Sequence, residues 1–120
     1  MSTPRQQFGR WGEQAAASYL QARGYTLLAH NLRTPHGEID LLMSKDGSLV
    51  FVEVKTRRST QFGPPEGSVT RTKQAHLIAA AEAHMQTQPA ETDWRIDVIA
   101  VYRQPSGEIE ITHFENAVSG

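Results

Sequence analysis

Residues 37–57, GEIDLLMSKDGSLVFVEVKTR, contain two apolar runs that each carry charge at one end: Glu38 and Asp40 in the first, Glu53 and Lys55 in the second. Three carboxylates and an ammonium at this spacing suit one kind of chemistry. Carboxylate oxygens are what Mg2+ and Mn2+ bind, and an ammonium beside them can face a phosphate. Charge within apolar strands is costly unless it is paired or holds a metal, so the pattern needs a physical cause.

The Asp46-Gly47 pair between the two runs is a strong hairpin signal and fixes the register. If Lys45 faces Ser48, each step outward opposes Met43 to Val50, Leu41 to Val52 and Ile39 to Val54 on one apolar face. On the other face Leu42 meets Phe51, Asp40 meets Glu53, and Glu38 meets Lys55. Directly opposed residues stand with their Cβ atoms roughly 4.5–5.5 Å apart, and like charges there are destabilising. Protonation of one carboxylate, the ammonium of Lys55 or a divalent cation would relieve Asp40 against Glu53. One ammonium shared among three acids leaves a deficit that a hard cation fills best. These residues therefore predict a metal site; the competing reading is a satisfied charge network at the sheet end.

The surrounding elements must hold that site. Thr3, Pro4 and Gln6 form a helix start signal with a capping box, Phe8, Trp11, Ala15 and Tyr19 recur at helical spacing, and Gly24 ends the element. Strands are expected at 25–33, 38–44, 49–56, 94–103 and 108–114, and a second helix at 70–88, closed by Pro89. The Gly-, Pro- and Ser-rich segment 57–68 reads as a loop, and its part 59–67 is placed to close over a bound strand. The expected fold is α/β: a single domain over 1–120 in the order α-β-β-β-α-β-β, with a mixed five-stranded sheet flanked by helices.

Composition bounds the function. The 120-residue chain is 38% hydrophobic and 21% charged, close to the average for globular domains. It has no cysteine, which removes disulfides, thiolate metal sites and cysteine nucleophiles. A reducing, cytoplasmic setting is the natural expectation. The longest apolar runs, 77–81 and 98–102, are five residues each, so no membrane span or signal sequence is expected.

The net charge is −1, but residues 55–73 gather five basic groups (Lys55, Arg57, Arg58, Arg71, Lys73) against one acid, Glu66. Arg57, Arg58, Arg71 and Lys73 are thus candidate phosphate contacts, with a solvated charged loop as the alternative. Arg71 and Lys73 sit in the first turn of the second helix, against the dipole's preference, which suggests an anion nearby. The five histidines show no metal-ligand spacing and read as surface residues, and Trp11 and Trp94 read as core. Neither a G-x-S-x-G motif nor a phosphate-binding P-loop is present.

Glu13 in the first helix, GEID with Asp40, and VEVK with Glu53 and Lys55 together resemble the restriction-endonuclease-like nucleases, in particular the archaeal Holliday-junction resolvases. From GRWGEQAA through GEIDLL, FVEVKTR and RIDVIAV, nearly the whole chain resembles the bacterial YraN-like proteins. The nuclease resemblance implies that Asp40, Glu53 and the main-chain carbonyl of Val54 bind Mg2+ or Mn2+, that Glu13 reaches the metal directly or through water, and that Lys55 positions the attacking water and steadies charge on the phosphate. Glu38 would support Lys55. Gly9, Gly12 and Ala16 would let the first helix approach the sheet. The implied partner is nucleic acid, DNA by resemblance, the implied activity is metal-dependent endonucleolytic hydrolysis of phosphodiester bonds at branched DNA, and the implied assembly is a homodimer, since a four-way junction has two equivalent cut points. The alternative is a non-catalytic nucleic-acid-binding protein that retains the nuclease fold.

Overall fold

A computed structural model describes residues 2–58 and 69–118. Helix α1 (Pro4–Gln21) is followed by strands β1 (Thr26–Thr34), β2 (Gly37–Lys45) and β3 (Ser48–Arg57), helix α2 (Arg71–Met85), and strands β4 (Trp94–Arg103) and β5 (Ile109–Val118). The order is the expected one. The strands lie in sequence order in one five-stranded sheet, antiparallel throughout except for the β3–β4 pair. Parallel neighbours need a crossover, and α2 supplies it. The segment 59–67 lies outside the described residues.

Local chemistry starts the elements where the sequence indicates. The Thr3 hydroxyl accepts from the Gln6 N–H while the Gln6 side chain accepts from the Thr3 N–H, closing the capping box on α1. Gly24, at φ +91°, turns the chain out of the helix. Asp46 and Gly47 take φ of 50° and 83°, as a two-residue hairpin turn requires. Thr70 caps α2 by accepting from the Lys73 N–H.

The sheet separates two cores. Ala16, Ala17 and Leu20 of α1 pack on Leu41, Met43, Val50, Val52, Ile99 and Val101, whereas Leu77, Ala80 and Ala81 of α2 pack on Leu42, Phe51, Ile96 and Val98. Gly12 is buried where α1 meets β3, and a Cβ there would overlap the Thr56 side chain. The close approach expected of the small-residue face thus falls on Gly12 and Ala16; a Cβ on Gly9 would meet nothing within 4 Å.

The hairpin register is as expected from Lys45↔Ser48 to Leu41↔Val52, and there the ladder stops. Beyond it β2 stays with β1 as far as Gly37, and β3 stays with β4 as far as Arg57. The expected pairs Ile39–Val54, Asp40–Glu53 and Glu38–Lys55 are therefore not formed as ladder partners. Ile39 also packs in the core under α2, whereas Leu41 packs under α1, so the alternation of β2 changes phase at Asp40. The hairpin face expected to be apolar throughout is broken at that point. On β1, between the partners of Leu41 and Ile39, Asn31 takes φ +52°, a local kink opposite the phase change.

Candidate functional site

Where β2 and β3 part, β3 would present a main-chain donor with no strand partner. The Asp40 carboxylate fills that place: its Oδ2 accepts from the Val54 N–H at 2.8 Å. Burial pushes the Asp40 carboxyl up to about 7, the charge of Glu53 adds to the rise, and the Val54 N–H works against it. Glu13 raises it further and Lys73 lowers it.

Glu53 is only 4% exposed. Its Oε1 lies 3.5 Å from Lys55 Nζ and 3.8 Å from Lys73 Nζ. Its Oε2 is buried with no hydrogen-bond partner among the described residues. Lys73 explains the cation in the first turn of α2: the anion it faces is Glu53. Asp40, Glu53, Lys55 and Lys73 thus form one partly buried group in which acid outweighs satisfied contacts.

Glu13 flanks this group from α1. Burial raises its pKa above the ordinary glutamate range, and the charges of Glu38 and Glu53 add to that shift. It borders a cavity of about 190 Å3 with Arg10, Leu27, His30 and Asn31, and a wider groove of about 710 Å3 that reaches Arg33 and Glu38. Its carboxylate influences Asp40 through space, but among the described residues no three His, Asp or Glu side chains converge closely enough to hold a metal by themselves.

The remaining expected site residues are scattered. Glu38 is exposed and its Oε2 sits 3.8 Å from Arg33 Nε, so the lysine contact expected for it is replaced by an arginine on the edge strand. The phase change at Asp40 is the cause, because it leaves Glu38 bordering the groove beside α1. Arg57 is half-buried at the end of β3, Arg58 is exposed and lies over the Phe8 ring, and Arg71 is exposed at the start of α2. Trp11 is half-buried against the α1 core, whereas Trp94 is 37% exposed with its ring edge-on to Phe51.

A second charged group was not anticipated from the sequence. Asp97 on β4 is wholly buried. Its Oδ1 accepts from Arg95 Nε at 3.0 Å and from the Asn116 N–H at 2.8 Å, and its Oδ2 is 2.7 Å from His113 Nε2. Arg95 also donates to the Tyr25 hydroxyl at 2.7 Å. His113 is therefore not a surface histidine: its side chain is 9% exposed, between Tyr19 and Tyr25. His84, half-buried with its ring edge-on to Phe51, also departs from that expectation. One sequence signal did point to Asp97, a single acid within the apolar run IDVIAV.

Residues 12–101 match the family described as "Uncharacterised protein family UPF0102". A UPF0102 protein of Syntrophomonas wolfei subsp. wolfei is 43% identical over 112 residues, covering 92% of this chain and 96% of that one. One from Roseiflexus castenholzii is 43% identical over 121 residues, covering 98% of each. Among solved structures, the chain is similar to SSO0001, with a TM-score of 0.44 and 16% identity, covering 95% of this chain and 53% of that one. It is also similar to Pyrococcus furiosus SfsA in complex with Ca2+, with a TM-score of 0.43 and 15% identity, covering 97% and 65%. The chain thus spans about half the length of the first structure and about two thirds of the second.

Proposed function

The chain belongs to the UPF0102 family, the YraN-like proteins, and on that footing we propose that it is a metal-dependent endonuclease hydrolysing DNA phosphodiester bonds, with branched DNA as its substrate. The observation that carries the reading is the buried, unpartnered Oε2 of Glu53 beside an Asp40 whose ionisation is resisted by burial and by Glu53 itself. A carboxylate oxygen left without a partner beside a second carboxylate fits a hard cation such as Mg2+ or Mn2+.

In this reading Asp40 and Glu53 would hold the cation, with the Val54 carbonyl as a further ligand and Glu13 contacting it directly or through water. When bound, the cation supplies Lewis acidity to the scissile phosphate and to the attacking water. Lys55, held 3.5 Å from Glu53, orients that water and carries positive charge toward the phosphate. Lys73, 3.8 Å from Glu53, would join Arg57, Arg58 and Arg71 in contacting the backbone, which supplies affinity without reading sequence. Glu38 acts at a distance, its charge adding to the burial that keeps Glu13 hard to ionise. A homodimer would bring two such centres to the two equivalent strands of a junction.

One observation favours a second reading, a non-catalytic nucleic-acid-binding protein: both lysines already pair with Glu53, and no three-acid cage forms among the described residues. A cleavage assay on branched, single-stranded and duplex DNA with Mg2+ or Mn2+, run beside Glu53→Ala, separates the two. Cleavage lost in Glu53→Ala supports the enzyme. DNA binding without cleavage on any substrate favours the platform, and cleavage that survives the substitution rules out this site.

A further inference from the structure

A cleft of about 340 Å3, lined by Arg58, Arg103, Gln104 and Pro105, opens beyond the carboxyl ends of β3 and β4. These are the parallel strands, with Arg57 beside Tyr102 in the last register pair. In open α/β sheets, ligands bind outside the carboxyl ends of such strands. Arg103 belongs to no sequence motif, and Phe8 and Trp11 are otherwise only part of the α1 face.

The two guanidiniums are seated. Arg58 Cζ stands 4.3 Å from the Phe8 ring centroid, and Arg103 Cζ stands 5.4 Å from that of Trp11. Phe8 and Trp11 are themselves stacked, 5.5 Å between centroids and 10° from parallel. One pair of parallel rings therefore positions two cations at the mouth of a single cleft. Among the described residues neither has a carboxylate within ion-pair distance. Gln104 Nε2, in the lining, donates to Glu110 Oε2 at 3.3 Å. A guanidinium held over an aromatic face keeps its N–H donors available at its edge, in the fork that matches phosphate oxygens.

We propose that the backbone contact assigned above to Arg58 extends into this cleft, where Arg58 and Arg103, steadied by Phe8 and Trp11, grip the phosphodiester backbone of a strand that continues past Glu53 and Lys55. It rests on the nucleic-acid reading above but not on cleavage. The ring pair makes it a preorganised fork and not a diffuse positive surface, which gives it a distinctive test.

Binding of a fluorescently labelled oligonucleotide is followed by anisotropy across a NaCl titration in EDTA, where metal-dependent cleavage is absent. Arg58→Ala and Arg103→Ala each weaken binding roughly tenfold or more and lower the log–log salt slope by about 1. Arg103→Lys keeps the slope but recovers little of the affinity, because the charge remains while the fork is lost. Full rescue by lysine, or indifference of binding to both alanine variants, overturns the proposal, as does stronger binding to polyglutamate or to anionic phospholipid vesicles than to the oligonucleotide. Cleavage sensitive to Glu53→Ala, with binding indifferent to both arginines, removes this cleft and leaves the nuclease. Arginine-dependent binding without cleavage does the reverse.

Discussion

Among the described residues two carboxylates are buried, Glu53 and Asp97, and their surroundings differ in kind. Asp97 accepts from a guanidinium, an imidazole and a main-chain N–H, so both of its oxygens are engaged. Glu53 has two ammonium groups beside one oxygen at 3.5 and 3.8 Å, and no hydrogen-bond partner among the described residues on the other. Both sit on the adjacent parallel strands, Asp97 pairing in register with Val52 and Glu53 with Val98. The strands are shared but the faces are not: Val52 belongs to the core under α1 and Val98 to the core under α2, so each carboxylate meets a different set of side chains. A buried charge with its hydrogen bonds made behaves as a structural joint, whereas one left short is a place where a ligand can gain binding energy.

The sharpest way to break this contrast is to remove each carboxylate in turn. Asp97→Ala leaves Arg95, His113 and the Asn116 N–H without their acceptor, and loss of one partner from a buried pair costs about 3–5 kcal/mol. Glu53→Ala removes a charge that is incompletely satisfied and repels Asp40, so its stability cost stays within about 1 kcal/mol. Urea denaturation of the two variants reads the difference. Equal costs would mean that Glu53 is as much a structural residue as Asp97.

Helix α1 touches both regions, with Glu13 beside the Glu53 group and Tyr19 edge-on to His113. Gly12→Ala tests whether the two are seated independently. The added methyl overlaps Thr56 on β3, and overpacking of this kind costs about 1–3 kcal/mol. The helix is expected to lift at its Glu13 end while the Tyr19–His113 contact persists, so the ring protons of His113 hold their chemical shifts in NMR spectra. Movement of both ends would make α1 a rigid coupling between the regions.

Asp40 supplies a test by pH. Its folded pKa of about 7 lies above the value of about 4 in an unfolded chain. The folded state thus binds this proton more tightly, and the stability it contributes is complete below pH 4 and is lost as pH rises to 7. Asp40→Asn, which can still accept from the Val54 N–H, removes that loss and is expected to raise stability at pH 8 by about 1 kcal/mol. In the unsubstituted protein, Mg2+ protection against thermal unfolding should grow between pH 6 and 8, because the cation needs the ionised carboxylate. A melting temperature that is independent of pH in both proteins would contradict the burial argument for Asp40.

Much of this contrast was legible in the residues, and the illegible part has a common cause. The element order, the Thr3–Gln6 capping box and the hairpin register from Lys45 to Leu41 follow from signals a few residues apart. The approach of Glu53 to Lys55 follows from strand alternation, and the anion facing Lys73 from the helix dipole. What failed was extrapolation through Asp40, because period-two counting assumes an unbroken ladder and the strands part there. Strand β5 runs on to Val118 instead of ending at 114, across a register shift in which Asn116 takes φ +50° and gives its N–H to Asp97. The Asp97 group draws Tyr25 from just before β1 and both His113 and Asn116 from β5 onto β4, so no window of sequence contains it.

The smallest effect belongs to the pair that the phase change at Asp40 brought about. Glu38 and Arg33 form an ion pair at 3.8 Å on exposed side chains, and such pairs contribute about 0–1 kcal/mol. Arg33→Ala should leave urea stability nearly unchanged. It also removes the cation beside Glu38, so that the unopposed charge of Glu38, which already helps to hold Glu13 above the ordinary glutamate range, acts on Glu13 more strongly. A titration of Glu13 by carboxyl-carbon NMR is expected to move to higher pH in Arg33→Ala and to lower pH in Glu38→Gln, both without measurable unfolding. Opposite shifts at constant stability would place Glu38 and Arg33 with the Glu53 group, as charges that tune a site. A stability loss comparable to that of Asp97→Ala would place them with the structural joint instead.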